Sequence, residues 1–340
     1  MMDLPIHILV TILEAMDTRA VVRASMTCRA LYDAAAQVRS LRPVLRPHTA
    51  ADQLAWMGRR RDRVTHVRAV RLSPLSPCWA ALPDFPALHT CMVALSRVPV
   101  SLVRSLPESL RTLDIHRLEP AVNDVFSTRA LARFPNLRRA HITFAPGWAL
   151  AVVGPGDLPP CLETLELRRI PAIAVTAPLP ATRHVGLHAL DVMSGRVHVA
   201  PRCASLALRC DATCIDGLSA LIHPDVQALS ICAPVIDDLG DVQAYPCLTA
   251  LHLAARYFTV PDTSQLAHLT RLQLDAANCL VFDRRSAVPP GLRLLAASSQ
   301  HRPLDIAPYL EMSAVDRAAA TSVVDAAVNQ SVAACTPSIV

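Results

Sequence analysis

A catalytic or metal-binding centre in this chain would have to be assembled from 13 histidines, 11 cysteines and 28 carboxylates dispersed over 340 residues. The usual local arrangements are missing. There is no Gly-x-Ser-x-Gly elbow to raise a nucleophilic serine and no His-Glu-x-x-His helix to hold zinc; with nine glycines in all, there is no phosphate-cradling loop. Cys210, Cys214 and His223 come nearest to a ligand set, but zinc is generally held by four well-spaced donors and no fourth is evident. The sequence predicts no catalytic residue, no metal and no cofactor, and hence not an enzyme.

What does recur is polar side chains at even spacing: Asp114 and His116, Arg139 and His141, Glu166 and Arg168, His184 and His188, then Arg209. Residues i and i+2 of a strand project from the same face. Repeated on neighbouring strands, such residues form a patch that ion-pairs and hydrogen-bonds with a partner without making or breaking covalent bonds. These nine are the candidate substrate-binding residues; the later positions Ala228, Ser230, Ala250 and Ala254 are small and neutral.

The elements that must position them come from one short phrase, apolar-x-x-apolar-x-apolar. Its plainest copies are Leu110, Leu113 and Ile115; Leu162, Leu165 and Leu167; Val226, Leu229 and Ile231; Leu248, Leu251 and Leu253; and Leu269, Leu272 and Leu274. With weaker copies admitted, the first residues of the phrase are Val67, Leu88, Leu110, Leu137, Leu162, Thr182, Cys203, Val226, Leu248, Leu269 and Leu292, spaced 20 to 27 residues apart. A fixed internal spacing at such a period is the signature of a solenoid. The fourth and sixth positions are expected to point into an apolar core and the alternate ones outward. A proline stands two residues before the anchor at Pro86, Pro135, Pro160, Pro180, Pro201, Pro224, Pro246 and Pro290. Lacking an N–H, it is expected to stop each outer segment and start the strand.

The run from about Val64 to about Ala307 resembles leucine-rich repeats. The resemblance implies a curved solenoid with a parallel sheet on its concave face, here of about eleven degenerate repeats over 67–307. It departs from the family in one respect. The Asn or Cys usual eight residues after the anchor is replaced by Leu75, Ser96, Leu118, Ala145, Ile170, Leu190, Asp211, Pro234, Arg256, Ala277 and Gln300, so irregular turns are expected.

At the N-terminus Leu4, Ile8, Leu9, Ile12, Leu13 and Met16 recur at helical spacing, with Asp3 placed to cap the helix and Pro5 tolerated in its first turn. A second helix follows Asp17 or Thr18, and a third runs from near Thr27 to about Val38. Residues 1–45 thus read as a compact helical module with too little core of its own. Leu4-Pro5, Ile8-Leu9, Ile12-Leu13, Asp17, Val21, Val22, Ser25, Cys28, Arg29 and Leu31 resemble, in order and without gaps, the pattern of an F-box. Together with the repeats this gives the expected fold class: α/β, a short three-helix F-box followed by a leucine-rich-repeat solenoid. The resemblance implies docking onto the Skp1 adaptor, and through it a cullin, via Leu4, Pro5, Ile8, Leu9, Ile12, Leu13, Val21, Val22, Cys28 and Leu31. It also implies that the repeats hold an unknown protein substrate of an SCF-type ubiquitin ligase. The alternative is a repeat-based interaction scaffold outside ubiquitination, its helices only a cap on the solenoid. A cap hides its apolar stripe; an adaptor-binding module leaves it available.

Between the two, 46–66 reads as an arginine-rich connector with a helix around Thr49 to Arg60. From Arg39 to Arg71 nine arginines stand against Asp52 and Asp62, an excess an acidic partner could use. Only 13 aromatic residues occur in the chain, which argues against nucleic acid as partner. No apolar run is long enough for a membrane span and no leader pattern is visible, so an intracellular protein of the cytoplasm or nucleus is expected. Scattered cysteines agree with that; Cys91, Cys203, Cys232 and Cys247 on or beside strands are expected to be small buried residues. All 33 basic residues are arginine. GC-rich coding explains this, and a large DNA virus redirecting a host ligase is one source that would combine it with an F-box. Residues 308–340 are expected to form a closing helix or a tail, the helix over Ser313 to Asn329; the terminal Ser338-Ile339-Val340 resembles a PDZ ligand too short to carry weight.

Overall fold

The computed structural model describes residues 4–16, 18–38, 41–48, 50–73, 75–120, 125–154, 157–175, 182–195, 203–211, 225–236, 245–260, 263, 266–282, 289 and 291–299. The expectations for Asp3, Asp17, Cys214, His223, Pro180, Pro201, Pro224, Pro290 and the C-terminal 308–340 fall outside these residues. Two compact units divide the chain, Met1–Arg169 and Ile170–Val340.

The first unit opens with three helices, α1 (Ile6–Ala15), α2 (Thr18–Ser25) and α3 (Arg29–Gln37). The N-cap of α1 is Pro5, whose carbonyl accepts from the amides of Ile8 and Leu9. α1 is rich in β-branched residues, which carry modest helix propensity, so it depends on packing, chiefly against α3: Leu13 is 1% exposed, and Val21 of α2 and Ala34 of α3 are buried as well. Two ties join the helices to the segments leading into the sheet. The Thr18 amide meets the Arg42 carbonyl at 3.5 Å, and the Arg63 guanidinium donates to the carbonyl of Ala36 in the last turn of α3. A cation there satisfies an orphan carbonyl and opposes the negative end of the helix dipole.

The sheet of this unit is parallel, in the order β1 (Val44–Leu45), β2 (His66–Val70), β3 (Thr90–Ala94), β5 (Thr112–Glu119), β7 (Arg139–Phe144) and β9 (Thr164–Val175). Short elements lie between these strands: α4 (Ala50–Gly58), α5 (Cys78–Ala81), β4 (Val98–Pro99), α6 (Val100–Ser105), β6 (Val125–Ser127), α7 (Arg129–Ala132) and β8 (Leu150–Val153). The register runs Val67–Cys91–Leu113–Ala140–Leu165 and Ala69–Val93–Ile115–Ile142–Leu167, all buried. These are the fourth and sixth positions of the phrase for every repeat but the first. There the anchor is the buried Val64, not Val67, and the residue eight places on is the buried Leu72 instead of the exposed Leu75. Leu41 bridges to Val64 and β1 pairs with β2, so residues 41–45 supply one more row ahead of the first anchored repeat.

Where an asparagine ladder would run, Leu72, Leu118 and Ala145 fill the space with apolar side chains. Ser96 keeps the polar role: buried, it accepts from the Leu72 amide at 2.8 Å and donates to the Ala94 carbonyl at 3.2 Å. One place earlier the backbone turns left-handed at Arg71 (φ 58°), Leu95 (φ 54°) and Arg169 (φ 63°), costly for non-glycine residues and tolerated here because the flanking ladder dictates it. The two longest intervals, 27 residues after Leu110 and 25 after Leu137, house an aromatic cluster: Phe126, Phe144 and Trp148 meet edge to face at 5.2–5.9 Å, and the Trp148 indole donates to the Leu118 carbonyl at 2.8 Å. The prolines act differently from expectation. Pro86, Pro135 and Pro246 occupy the second place of a turn that the anchor amide closes, Leu88 onto Phe85, Leu137 onto Phe134 and Leu248 onto Tyr245, at 3.1–3.2 Å, the place for which proline's fixed φ is suited.

The second unit has a parallel sheet in the order β10 (His184–Gly195), β11 (Ser205–Cys210), β12 (Ala228–Cys232), β14 (Ala250–Val260), β15 (Arg271–Phe282) and β16 (Leu294–Ser299), with β13 (Val235–Ile236) paired to β14. Its register links Val185–Leu206–Leu229–Leu251–Leu272–Leu295, which places the buried Thr182 as an anchor in step with the rest. Cys91 and Cys203 are buried, whereas Cys247 sits exposed in a turn, contrary to expectation, and Cys232 is half-buried. No helix among the described residues is long and apolar enough to cross a membrane.

Candidate functional site

On the outward face of the first sheet the register carries Asp114, His141 and Glu166 side by side. Asp114 Oδ1 lies 3.2 Å from His141 Nδ1 and 3.5 Å from His116 Nε2, the two rings 5.8 Å apart. His141 Nε2 stands 3.6 Å from Glu166 Oε2, whose other neighbour is Arg168 at 2.7 Å. Burial works against ionisation of Asp114, but the imidazoles of His141 and His116 and the guanidinium of Arg168 outweigh it and hold its pKa below the ordinary carboxylate value. Five of the six sequence-selected residues in this unit are therefore brought together and spend their charge on one another. Arg139 is exposed and, among the described residues, has no carboxylate within 4.0 Å.

In the second unit His188 Nε2 meets Asp211 Oδ2 at 2.9 Å and Arg209 Nε meets Asp211 Oδ1 at 2.8 Å. Burial again opposes the charge on Asp211, and Arg209 and His188 override it, lowering its pKa. His184 is exposed beside them in the strand. Asp211 is legible in the sequence only as a failed ladder residue; its service as the shared acceptor follows from standing two residues after Arg209.

A chain of contacts that sequence reading missed joins Ser230 Oγ to His252 Nδ1 at 3.0 Å and His252 Nε2 to Asp275 Oδ2 at 2.8 Å, with Gln273 donating to the same oxygen at 2.9 Å. Ser230, His252 and Asp275 are 22 and 23 residues apart, one repeat each, and that period is the signal that could have found them. The order of atoms resembles a nucleophile, base and orienter, but β12 is laddered on both edges. Its amides are thus taken up by the sheet, and among the described residues no pair of free N–H donors of the kind an oxyanion needs flanks Ser230 on β12. It joins three neighbouring repeats through their side chains.

At the helical end the structure divides what the sequence grouped into one stripe. Leu4, Ile8 and Ile12 lie outside at 49%, 38% and 48% exposure; Leu13 and Val21 are buried and build the module's core, so they offer a partner no surface. Leu9, Val22 and Leu31 are half-buried, and Pro5 and Cys28 are exposed. Tyr32 and Met26, which sequence reading passed over, are exposed at 63% and 82%. Among the described residues no cluster of histidine, cysteine and carboxylate side chains is arranged to hold a metal; Cys210 is buried, its Sγ donating to the Asp191 carbonyl.

Residues 1–42 match the family profile of the F-box domain. No curated protein matches the chain in sequence. Solved structures similar to it include an internalin from Listeria monocytogenes (TM-score 0.49, 13% identity, covering 82% of this chain and 80% of that one) and the functional domain of InlJ from Listeria monocytogenes (TM-score 0.40, 12% identity, 78% and 58%). CroV588, a circular leucine-rich-repeat protein, is another (TM-score 0.40, 11% identity, 76% and 42%). Likeness at that level is too slight to argue from, and the fold rests instead on the register of the chain's own strands. With a period of 20 to 27 residues whose fourth and sixth positions turn inward, and a matched helical module ahead of it, this chain carries an F-box domain followed by leucine-rich repeats.

Proposed function

We propose that the chain is the substrate-recognition subunit of an SCF-type ubiquitin ligase, its F-box docking a Skp1-like adaptor and its outward strand faces holding a target protein. The observation that supports this reading is the exposed stripe Leu4, Ile8 and Ile12 on a module already closed inside by Leu13, Val21 and Ala34. Burying a side chain of this size contributes about 1.5–3 kcal/mol, so an unpaired stripe of three is a strong inducement to a partner. The module also ties into the first strand row through Arg63 and Thr18; capping the sheet and docking a partner use different faces and are compatible. On this reading the chain performs no chemistry. It raises the concentration of target amines near a charged conjugating enzyme, inside the cell, in cytoplasm or nucleus.

The test replaces Ile8 and Ile12 together by Asp. Each charge forced into an apolar contact costs several kcal/mol, while both positions are exposed in the free chain. Co-purification with Skp1 should disappear and the melting temperature stay within about a degree or two of the parent's. Retention of Skp1 at parental yield refutes the reading.

A further inference from the structure

The outward face of the first sheet separates into two parts once its ion pairs are assigned. Further along β5, β7 and β9 the charges are neutralised among Asp114, His116, His141, Glu166 and Arg168. At the starts of the strands from β1 to β7, and at Arg68 on β2, the cations are left over: Arg42, Arg68, Arg111 and Arg139 are exposed, and among the described residues none has a carboxylate within 4.0 Å. The register puts Arg68 on β2 beside Met92 on β3, and Met92 beside Asp114. Met92 is 39% exposed, an apolar spot between cations and the self-paired cluster. Two histidines report the field of these arginines. Burial lowers the pKa of His66, helped by Arg42 and His89, and burial lowers that of His89, helped by Arg111.

We propose that this face binds an acidic, carboxylate-rich peptide segment in extended form, with one apolar side chain set on Met92 and carboxylates on Arg42, Arg68, Arg111 and Arg139. From β1 to β7 lie five strands about 4.8 Å apart, a path of roughly 19 Å. That is the length of about six extended residues at ~3.3 Å each. The planar guanidinium matches a carboxylate in two parallel hydrogen bonds. Among the outward residues of β2, β3, β5 and β7 stands no Phe, Tyr or Trp on which a base could stack. The proposal rests on the substrate-receptor reading and deepens it by naming the chemical class of target. It is measured on the chain alone, so its failure is distinguishable from failure of Skp1 capture.

The full chain is titrated against a fluorescein-labelled peptide of about six residues, Asp and Glu with one central Leu, and binding is read by anisotropy. The Asn/Gln counterpart and an oligouridylate of equal charge serve as comparisons. The acidic peptide should bind in preference to both and weaken with salt. Exposed charge pairs are each worth a factor of a few, so Arg68→Glu with Arg111→Glu should weaken it roughly tenfold or more, and Arg68→Lys with Arg111→Lys should restore part of the loss. Met92→Gln isolates the apolar contact: it should weaken binding of the Leu-bearing peptide and leave that of a peptide with Ser in the central place unchanged. Equal binding of the Asn/Gln peptide, undiminished binding by the Arg→Glu variant, or preference for the oligouridylate overturns the proposal.

Discussion

His66 and His89 show how a single side chain senses its row. Both are partly buried beside arginines, and both take up a proton less readily than free imidazole. In the unfolded chain they protonate at pH ~6.5; folded, only at a lower pH. Between those two values the unfolded state holds more protons, so stability falls as pH drops through the window and levels off beneath it. Asp114 and Asp211, whose folded pKa values are depressed, contribute in full above ~3.9 and lose that contribution as pH falls further. The melting temperature should therefore decline below about pH 6.5, and His66→Gln with His89→Gln should flatten that first decline while leaving the steeper one below pH ~4. An unchanged profile would show that the two rings carry no linkage. The inward residues of the helical module are not separable by spacing alone: Ile12 and Leu13 look alike in sequence, and only the seating of α1 against α3 turns Leu13 in and Ile12 out.

At the scale of the element, the strands are legible because their fourth and sixth positions are buried in row after row, a pattern of period two that tolerates little slippage. The first anchor lies three residues ahead of the place its spelling suggests, for a physical reason. Val67, Val70 and Leu72 also spell the phrase, yet only Val67 and Leu72 turn inward while Val70 is half-buried on the outer face; pairing with β3 decides the matter. The prolines are ambiguous in sequence, since terminator and turn former both fit the fixed φ and the missing N–H. Ser96 is the exception among the ladder positions of the first unit, and it supports a prediction. Ser96→Ala leaves the buried Leu72 amide unsatisfied, which should cost about 1–3 kcal/mol, read as a lower denaturant midpoint at unchanged slope. Ser96→Asn, the usual ladder residue, should recover stability if the turn after β3 accommodates it. A midpoint unaffected by Ser96→Ala would mean that the amide finds another acceptor.

On the proposed function, the absence of lysine among the 33 basic residues of the whole molecule would have a functional side. A receptor in a ligase sits close to the charged enzyme, and any amine it carries shares the target's proximity; arginine keeps the charge but is never deprotonated enough to act as a nucleophile. Lysines restored at the exposed Arg59 and Arg61 should shorten the lifetime of the chain in cells, and should do so only when Ile8 and Ile12 are intact. Equal lifetimes would leave GC-rich coding as the sufficient reason.

The clamp of Arg63 on the end of α3, with the Thr18 amide on Arg42, bears on reach. A docking module hung on a pliable tether sweeps through many orientations, and the local concentration of anything it carries is diluted over that volume. Here the module and the strand rows beside it share one compact unit. On the proposed function, a partner gripped by Ile8 and Ile12 would be presented to those rows along one direction and at one span, which would set the stretch of a bound target that lies opposite the partner.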